Sequence, residues 1–418
     1  MTPILHGNAV VGQSGGPTAA INATLAGVIR GVLAQPAEGR AIPRLYGMIN
    51  GVEGLLEEWL CDLTERFTKN PDELDVLELT PAAALGSCRK KLPAAGADNE
   101  EAVMGRLLEV LKKYDIRYFF YIGGNDSMDT VAKLSAYAAK KEYDMRVVGV
   151  PKTIDNDLMG TDHTPGFGSA AKYIAVTTQE IMRDTAVYTV PAVTIIEIMG
   201  RDTGWLTASS ALGRVVNGRA PDLVYLPERD FDYDAFYRDV RAALDRHPDV
   251  VIAVSEGLRC ADGRYVGEGT QSGVADVFGH RYLSGTGKAL EMAVKEKFGC
   301  KVRSVELNLP QRCASHLSAG QDIEESVAVG QAAVNAAIAG SSRVMMTIQR
   351  TSDAPYAYTV GQAAIDTIAN QTRFVPDEFI NAESNHVTDA CLYHLLPLIQ
   401  GERYPDYESG LPVQCILK

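Results

Sequence analysis

Apolar residues run almost unbroken through short segments of this chain, and each run is followed by a stretch with helical spacing. NAVVG (8–12) leads to PTAAINATLAGVIRGVL (17–33), RYFFYIGG (117–124) to SMDTVAKLSAYAAK (127–140), and RVVGVPKT (146–153) to GFGSAAKYIAVTTQEIMRDTA (166–186). AVTIIEIMG (192–200) leads to DTGWLTASSALGRV (202–215), and VVIAVSEG (250–257) and VRSVELN (302–308) follow. Strands that are apolar throughout, rather than on alternate residues, belong to parallel sheets covered on both faces. Repeated βα units of this kind predict a doubly wound α/β fold with ligands beyond the carboxyl ends of the strands. The last hundred residues change character, to a helix (325–340), a strand (343–350) and a mixed tail. The tail reads as a cover or an oligomer contact.

Composition narrows the possibilities. The chain has 418 residues, 46% hydrophobic, enough for one large domain or two ordinary ones. Its net charge of −13 argues against a nucleic-acid or anionic-membrane binder, so an anionic ligand must be met by a local cluster of Lys and Arg. The start MTPILHGNAVVG has no basic leader, and no apolar run reaches the roughly 18–20 residues of a membrane span. Seven scattered cysteines without CxxC suit reduced thiols and a cytoplasmic location. The seven histidines lack zinc spacing.

The polar residues at the strand ends carry the candidate chemistry. In GQSGGPTAAIN (12–22), Ser14, Gly15 and Gly16 follow a strand, with Pro17 or Thr18 opening a helix. This is either a tight turn or a backbone cradle for an oxyanion. In LGSCRKKL (85–92), Arg89, Lys90 and Lys91 form a phosphate clamp or a solvated turn. In YIGGNDSMDT (121–130), Asp126 stands where a helix start favours anions, and reads as a magnesium ligand, a helix cap, or both. In PKTIDND (151–157), Lys152 and Thr153 precede Asp155 and Asp157, whose carboxylates share a side if the segment is extended. An Asx turn at Asn156 accounts for the acids but not for the lysine.

Gly200 and Arg201 end another apolar run, Glu256 ends the next, and Arg303 and Arg312 bracket a third. Together these loops bring cations and carboxylates to one face of one sheet. That combination suits phosphoryl transfer to a sugar phosphate, which needs positioning, charge neutralisation and a base.

The ordered set SGG, GSCR, GGNDS, PKTIDND, MGR, SEG and R…QR, over about residues 8–340, resembles the 6-phosphofructokinases, and within them the pyrophosphate-dependent branch. The resemblance implies two Rossmann-like doubly wound domains with the active site in the cleft between them. The implied boundaries are 1–165 for the donor-side domain, with a return at about 311–385, 166–310 for the sugar-phosphate side, and 386–418 for a C-terminal extension. It implies that Asp155 is the base for the C1 hydroxyl of fructose 6-phosphate. Thr153 would touch substrate or the moving phosphoryl group, and Asp157 would support the metal or Asp155. Ile154, Met199, Gly200, Arg201 and Glu256 would hold the sugar phosphate, with Arg303 and Arg312 on its 6-phosphate. Gly15, Gly16, Arg89 and Lys152 would cradle pyrophosphate, and Asn125 or Asp126 would contact Mg²⁺. Part of the sugar-phosphate site would come from a neighbouring subunit, giving a homodimer or homotetramer.

ATP-using members carry GGDGS and PGTIDND. Here Asp126 puts bulk and charge where an α-phosphate would lie, and Lys152 adds a cation at the leaving group. The resemblance therefore implies catalytic roles for Asp126, Lys152, Thr153 and Asp155, and pyrophosphate as donor. An ATP-dependent enzyme and a silent sugar-phosphate sensor are the alternatives. Three positions depart from the family pattern: Asn125 replaces the more usual acidic residue, Leu309 stands where the family often has His or Tyr, and Ala192 stands where ATP-dependent bacterial members place an arginine from the adjacent subunit.

Overall fold

The structure is a computed structural model that describes residues 4–36, 38–187, 189–268, 283 and 285–417. In chain order its main strands are β1 (Asn8–Gln13), β2 (Leu45–Met48), β3 (Leu60–Asp62), β4 (Ile116–Gly123), β5 (Arg146–Pro151), β6 (Ala192–Ile198), β7 (Leu223–Tyr225), β8 (Asp249–Ser255), β9 (Lys301–Glu306), β10 (Val344–Asp353) and β11 (Tyr356–Ala364). They form a seven-stranded sheet, β11-β10-β5-β4-β1-β2-β3, and a four-stranded sheet, β7-β8-β6-β9. The inner pairings of the first sheet are parallel, and antiparallel β3 and β11 close its edges. The second sheet is parallel throughout.

The apolar runs are continuous because both faces of each sheet are covered. Along β4, Phe119 and Tyr121 enter one core with helices Glu100–Lys113 and Asn125–Lys140. Phe120 and Ile122 enter the opposite core with helices Ile21–Leu33 and Gly320–Ile338. Strand alternation thus puts large side chains on both sides. The second sheet repeats the pattern, with Ile196 and Ile198 on one side and Val193 and Ile195 on the other.

Residues beyond 311 return to the first sheet through a close helix crossing. At Gly27 in helix Ile21–Leu33, an added Cβ would lie 2.2 Å from the carbonyl oxygen of Val327, so only glycine allows that approach. The tail touches both sheets: Cys391, Leu392 and Leu395 join the core of the second, and Cys415 and Leu417 that of the first. All seven thiols are free. No helix among the described residues is long and apolar enough to cross a membrane.

Two local expectations change. The first helix starts at Ile21 rather than at Pro17 or Thr18, because the Thr18 hydroxyl accepts the Ala20 N–H and keeps the preceding residues as a loop. Segment 202–215 is not one helix but a short helix Trp205–Ser209, a 3₁₀ turn Ser210–Leu212 and a second short helix Gly213–Asn217.

Candidate active site

The chemistry-bearing loops converge from both sheets, not from one. Ser14–Gly16 follow β1, Gly124–Ser127 follow β4, Lys152–Asp157 follow β5 and Gly200–Thr203 follow β6. A cavity of about 400 Å³ is lined by residues of all four loops, among them Lys152, Thr153, Asp155 and Asp157, and by Arg89, Lys91, Asn370 and Thr372. A smaller cavity of about 90 Å³ shares Gly16, Arg89, Lys152, Thr153, Asp155 and Arg201 with it and adds Ile154, Met199, Glu256 and Arg312. Lys90 lines neither, whereas its neighbours Arg89 and Lys91 do.

The glycines after β1 let cations approach. Gly15 has φ 79°, in the left-handed region, and an added Cβ would stand 3.4 Å from the Lys152 Nζ. At Gly16 the Arg312 Nη1 would be 3.2 Å away. The Lys152 ammonium donates to the Gly16 carbonyl at 2.6 Å and is almost wholly buried. Burial pulls its pKa down to about 8, although Asp155 and Asp157 hold it up.

Hydrogen bonds pin the loop after β5 on every side. The Thr153 hydroxyl accepts the Asp155 N–H at 3.1 Å, and the Thr164 hydroxyl donates to the Thr153 carbonyl at 2.8 Å. Asn156 accepts the Thr164 N–H at 3.1 Å, and the Thr203 hydroxyl donates to the Asp155 carbonyl at 3.0 Å. Asn156 has φ 57°, so the segment is not extended, yet Asp155 and Asp157 both line the cavity. Burial raises the pKa of Asp155, opposed by Arg201, Lys152 and Arg312. Burial and then Asp155 raise that of Asp157. A charged Asp155 thus disfavours ionisation of Asp157.

The loop after β6 rests on Glu256, which accepts the N–H groups of Gly200 and Arg201 at 3.2 and 3.0 Å. Burial pushes the Glu256 carboxyl up to about 8. Arg201 takes φ 52°, and a Cβ on Gly257 would meet its carbonyl oxygen at 1.6 Å. The Met199 N–H donates to buried Gln311 at 3.1 Å, which ties the segment carrying Arg312 to the same loop.

Around Asp126, helix Asn125–Lys140 is entered from Gly124 without a side-chain cap, so capping is not the role of that carboxylate. Asp126 lies in the first turn, 3.5 Å from the Lys91 ammonium at the cavity wall. Asn125 lines the same cavity, and its carboxamide is engaged by backbone: its oxygen accepts the Asn370 N–H and its nitrogen donates to the Gln371 carbonyl, both at 2.6 Å.

The residues named from sequence meet here with two exceptions, Lys90 and Arg303. Arg303 stands exposed in β9, an edge strand, and lines neither cavity. Sequence reasoning missed Thr203, Gln311, Asn370 and Thr372. Gln311 adjoins Arg312 in the QR pair and Thr203 follows MGR, so nearness to a motif was a usable signal for both. Asn370 and Thr372 carry no local signal.

The phosphofructokinase profile matches residues 8–337. The chain belongs to the phosphofructokinase family. This family member is 41% identical over 407 residues to a pyrophosphate--fructose 6-phosphate 1-phosphotransferase of Halomonas elongata, covering 97% of this chain and 94% of that one. It is 40% identical to the protein of the same name in Methylococcus capsulatus, with the same coverage. The crystal structure of a pyrophosphate-dependent phosphofructokinase from Nitrosospira multiformis superposes with a TM-score of 0.87 at 39% identity, covering 98% of this chain and 96% of that one.

Proposed function

We propose that this phosphofructokinase transfers a phosphoryl group reversibly from pyrophosphate to the C1 hydroxyl of fructose 6-phosphate, giving fructose 1,6-bisphosphate. The observation that carries the reading is the pairing of Lys152 and Asp126 on one cavity, a buried cation on the floor and a carboxylate on the wall. A two-phosphate donor gains from the first and, being short, is not opposed by the second.

In this reading Asp155 takes the proton of the C1 hydroxyl as the oxygen attacks; burial raises its pKa, as suits a base, and Arg201, Lys152 and Arg312 oppose that rise. Thr153 and Asp157 orient substrate and base. Gly15, Gly16, Arg89 and Lys152 hold pyrophosphate, and Lys152 meets the charge that grows on the departing phosphate. Ile154, Met199, Gly200 and Arg201 line the sugar side, Glu256 holds the last two in place, and Arg312 takes the 6-phosphate.

Magnesium fits this donor set. The ion commonly takes one or two carboxylates with substrate phosphates and water, and Asp126 and Asp157 line the same cavity. Bound there, it would neutralise phosphate charge, and Asp126 would hold it while the carboxamide of Asn125 is taken by backbone groups. We also take the chain to be cytoplasmic, with domains 1–165 plus about 311–385, 166–310, and an extension 386–418. In a homodimer or larger assembly, Arg303 would serve the sugar phosphate of a second copy.

Purified protein with fructose 6-phosphate and Mg²⁺, given pyrophosphate or ATP, tests the reading. Fructose 1,6-bisphosphate forms with pyrophosphate; turnover with ATP alone overturns it.

A further inference from the structure

Residues 368–375 cross from one sheet to the other over the mouth of the site. Ile368 is buried in the core under β4, and Val375 in the core of the second sheet. Between them the chain has neither helix nor strand, so its course is set by the bonds that hold it. At the near end Asn125 grips the Asn370 N–H and the Gln371 carbonyl, each at 2.6 Å. In the middle the Arg373 N–H donates to the Asp157 carbonyl at 2.8 Å, and its guanidinium reaches the Asn156 carbonyl at 3.4 Å. The same guanidinium lies 4.3 Å over the Trp205 ring, whose indole N–H donates to the Arg373 carbonyl at 3.1 Å. At the far end the Val375 N–H donates to Glu228 at 2.9 Å.

This strap therefore touches the helix start of the donor side, the loop that carries the base, and the second sheet. Two of its residues, Asn370 and Thr372, line the same cavity as Arg89, Lys91, Asp126 and Lys152. Both are exposed, so their side chains are available to a ligand there.

We propose that the strap forms the outer wall of the pyrophosphate site, with Asn370 and Thr372 as specificity-determining contacts and Asn125 as the positioning residue that holds them. The chemistry of the wall fits its place. The inner part of the cavity already holds several cations, and further positive charge would trap the product phosphate. An amide and a hydroxyl instead donate to phosphate oxygens and accept from metal-bound water, with no added charge. The role of Asn125 also accounts for its identity. A carboxylate there accepts the Asn370 N–H but meets the Gln371 carbonyl with lone pair against lone pair. Only a carboxamide satisfies both.

The inference rests on pyrophosphate being the donor, and the experiment separates the two. Initial rates are measured for the wild type, for Asn370→Ala with Thr372→Val, and for Asn125→Ala, varying pyrophosphate and fructose 6-phosphate in turn. For emission, Trp59→Phe is compared with Trp59→Phe plus Asn125→Ala, so that Trp205 is the sole tryptophan. The double variant raises KM for pyrophosphate about tenfold, as loss of a hydrogen bond to a charged group does, and affects that KM more than kcat or the KM for fructose 6-phosphate. Asn125→Ala raises the same KM and also shifts Trp205 emission, because the strap that seats Arg373 on the ring is released. An unchanged pyrophosphate KM in the double variant overturns the assignment. A wild type that turns over ATP and not pyrophosphate overturns the donor reading and the assignment with it.

Discussion

Lys152 is the residue whose chemistry depends most on its surroundings. In sequence it is one lysine among many; in the fold it is buried against two glycines and two aspartates, and its pKa falls to about 8. A cation binds an anion only while protonated, so kcat/KM for pyrophosphate falls as pH rises through about 8. That ratio reports the free enzyme, before bound anion pulls the pKa up again. In Lys152→Met the ratio is low and the alkaline fall ascribed to Lys152 is gone, which a pH–rate profile checks. Asp126→Gly combined with Lys152→Gly tests the donor pair directly. Losing transition-state contacts of this kind lowers pyrophosphate-dependent kcat by about 10²–10³, and a double variant with full rate contradicts the role given to the pair.

Elements set the position of these residues, and one buried network ties the segment after β5 to β10, β11 and helix Gly320–Ile338. His163 sits between Asp162 at 2.8 Å and Glu325 at 2.5 Å. Arg350 of β10 bonds Asp162, and Tyr356 of β11 donates to Glu325 at 2.6 Å. Burial alone would lower the His163 pKa, but Glu325 and Asp162 carry it up to about 9. A raised histidine pKa stabilises the fold fully below about 6.5, its unfolded value, and that stability is lost as pH rises through the folded value. Thermal melts between pH 6.5 and 9 therefore show a fall in Tm for the wild type that is flattened in His163→Gln. Strand β4 was legible in the sequence because the run of buried residues from Tyr118 to Gly123 faces two cores. β11 was not, because the alternating positions of this edge strand are filled by residues with little apolar–polar contrast, Ala357, Thr359 and Ala364 on the exposed side and Gly361 and Ala363 among the half-buried ones. The broken helix after Gly204 escaped for a different reason: its residues are buried all round, which leaves no polar face to mark a period.

At the scale of the whole molecule, Arg303 tests whether copies of the chain share a site. It lies exposed on edge strand β9 and lines neither cavity of its own chain. If it completes the site of a second copy, Arg303→Ala and Asp155→Ala are each nearly inactive alone. Refolded together they regain roughly a quarter of wild-type activity, because half the dimers are mixed and each of those holds one intact site. Mixed samples that stay inactive confine Arg303 to its own chain or to no role.

The sequence by itself determined the alternation of strands and helices, the chemical content of each strand-end loop, and through the ordered motifs the family. Those properties are written in near neighbours, as periodicity and as short runs of residue types. Tertiary structure decided which loops share a cavity, that they come from two sheets, and that Lys152 is desolvated. It also turned Asn125 toward a strap some 245 residues further along the chain, and left Arg303 outside. The physical reason is range: burial, desolvation and hydrogen bonds between distant segments are set by packing, and no local pattern records the partner.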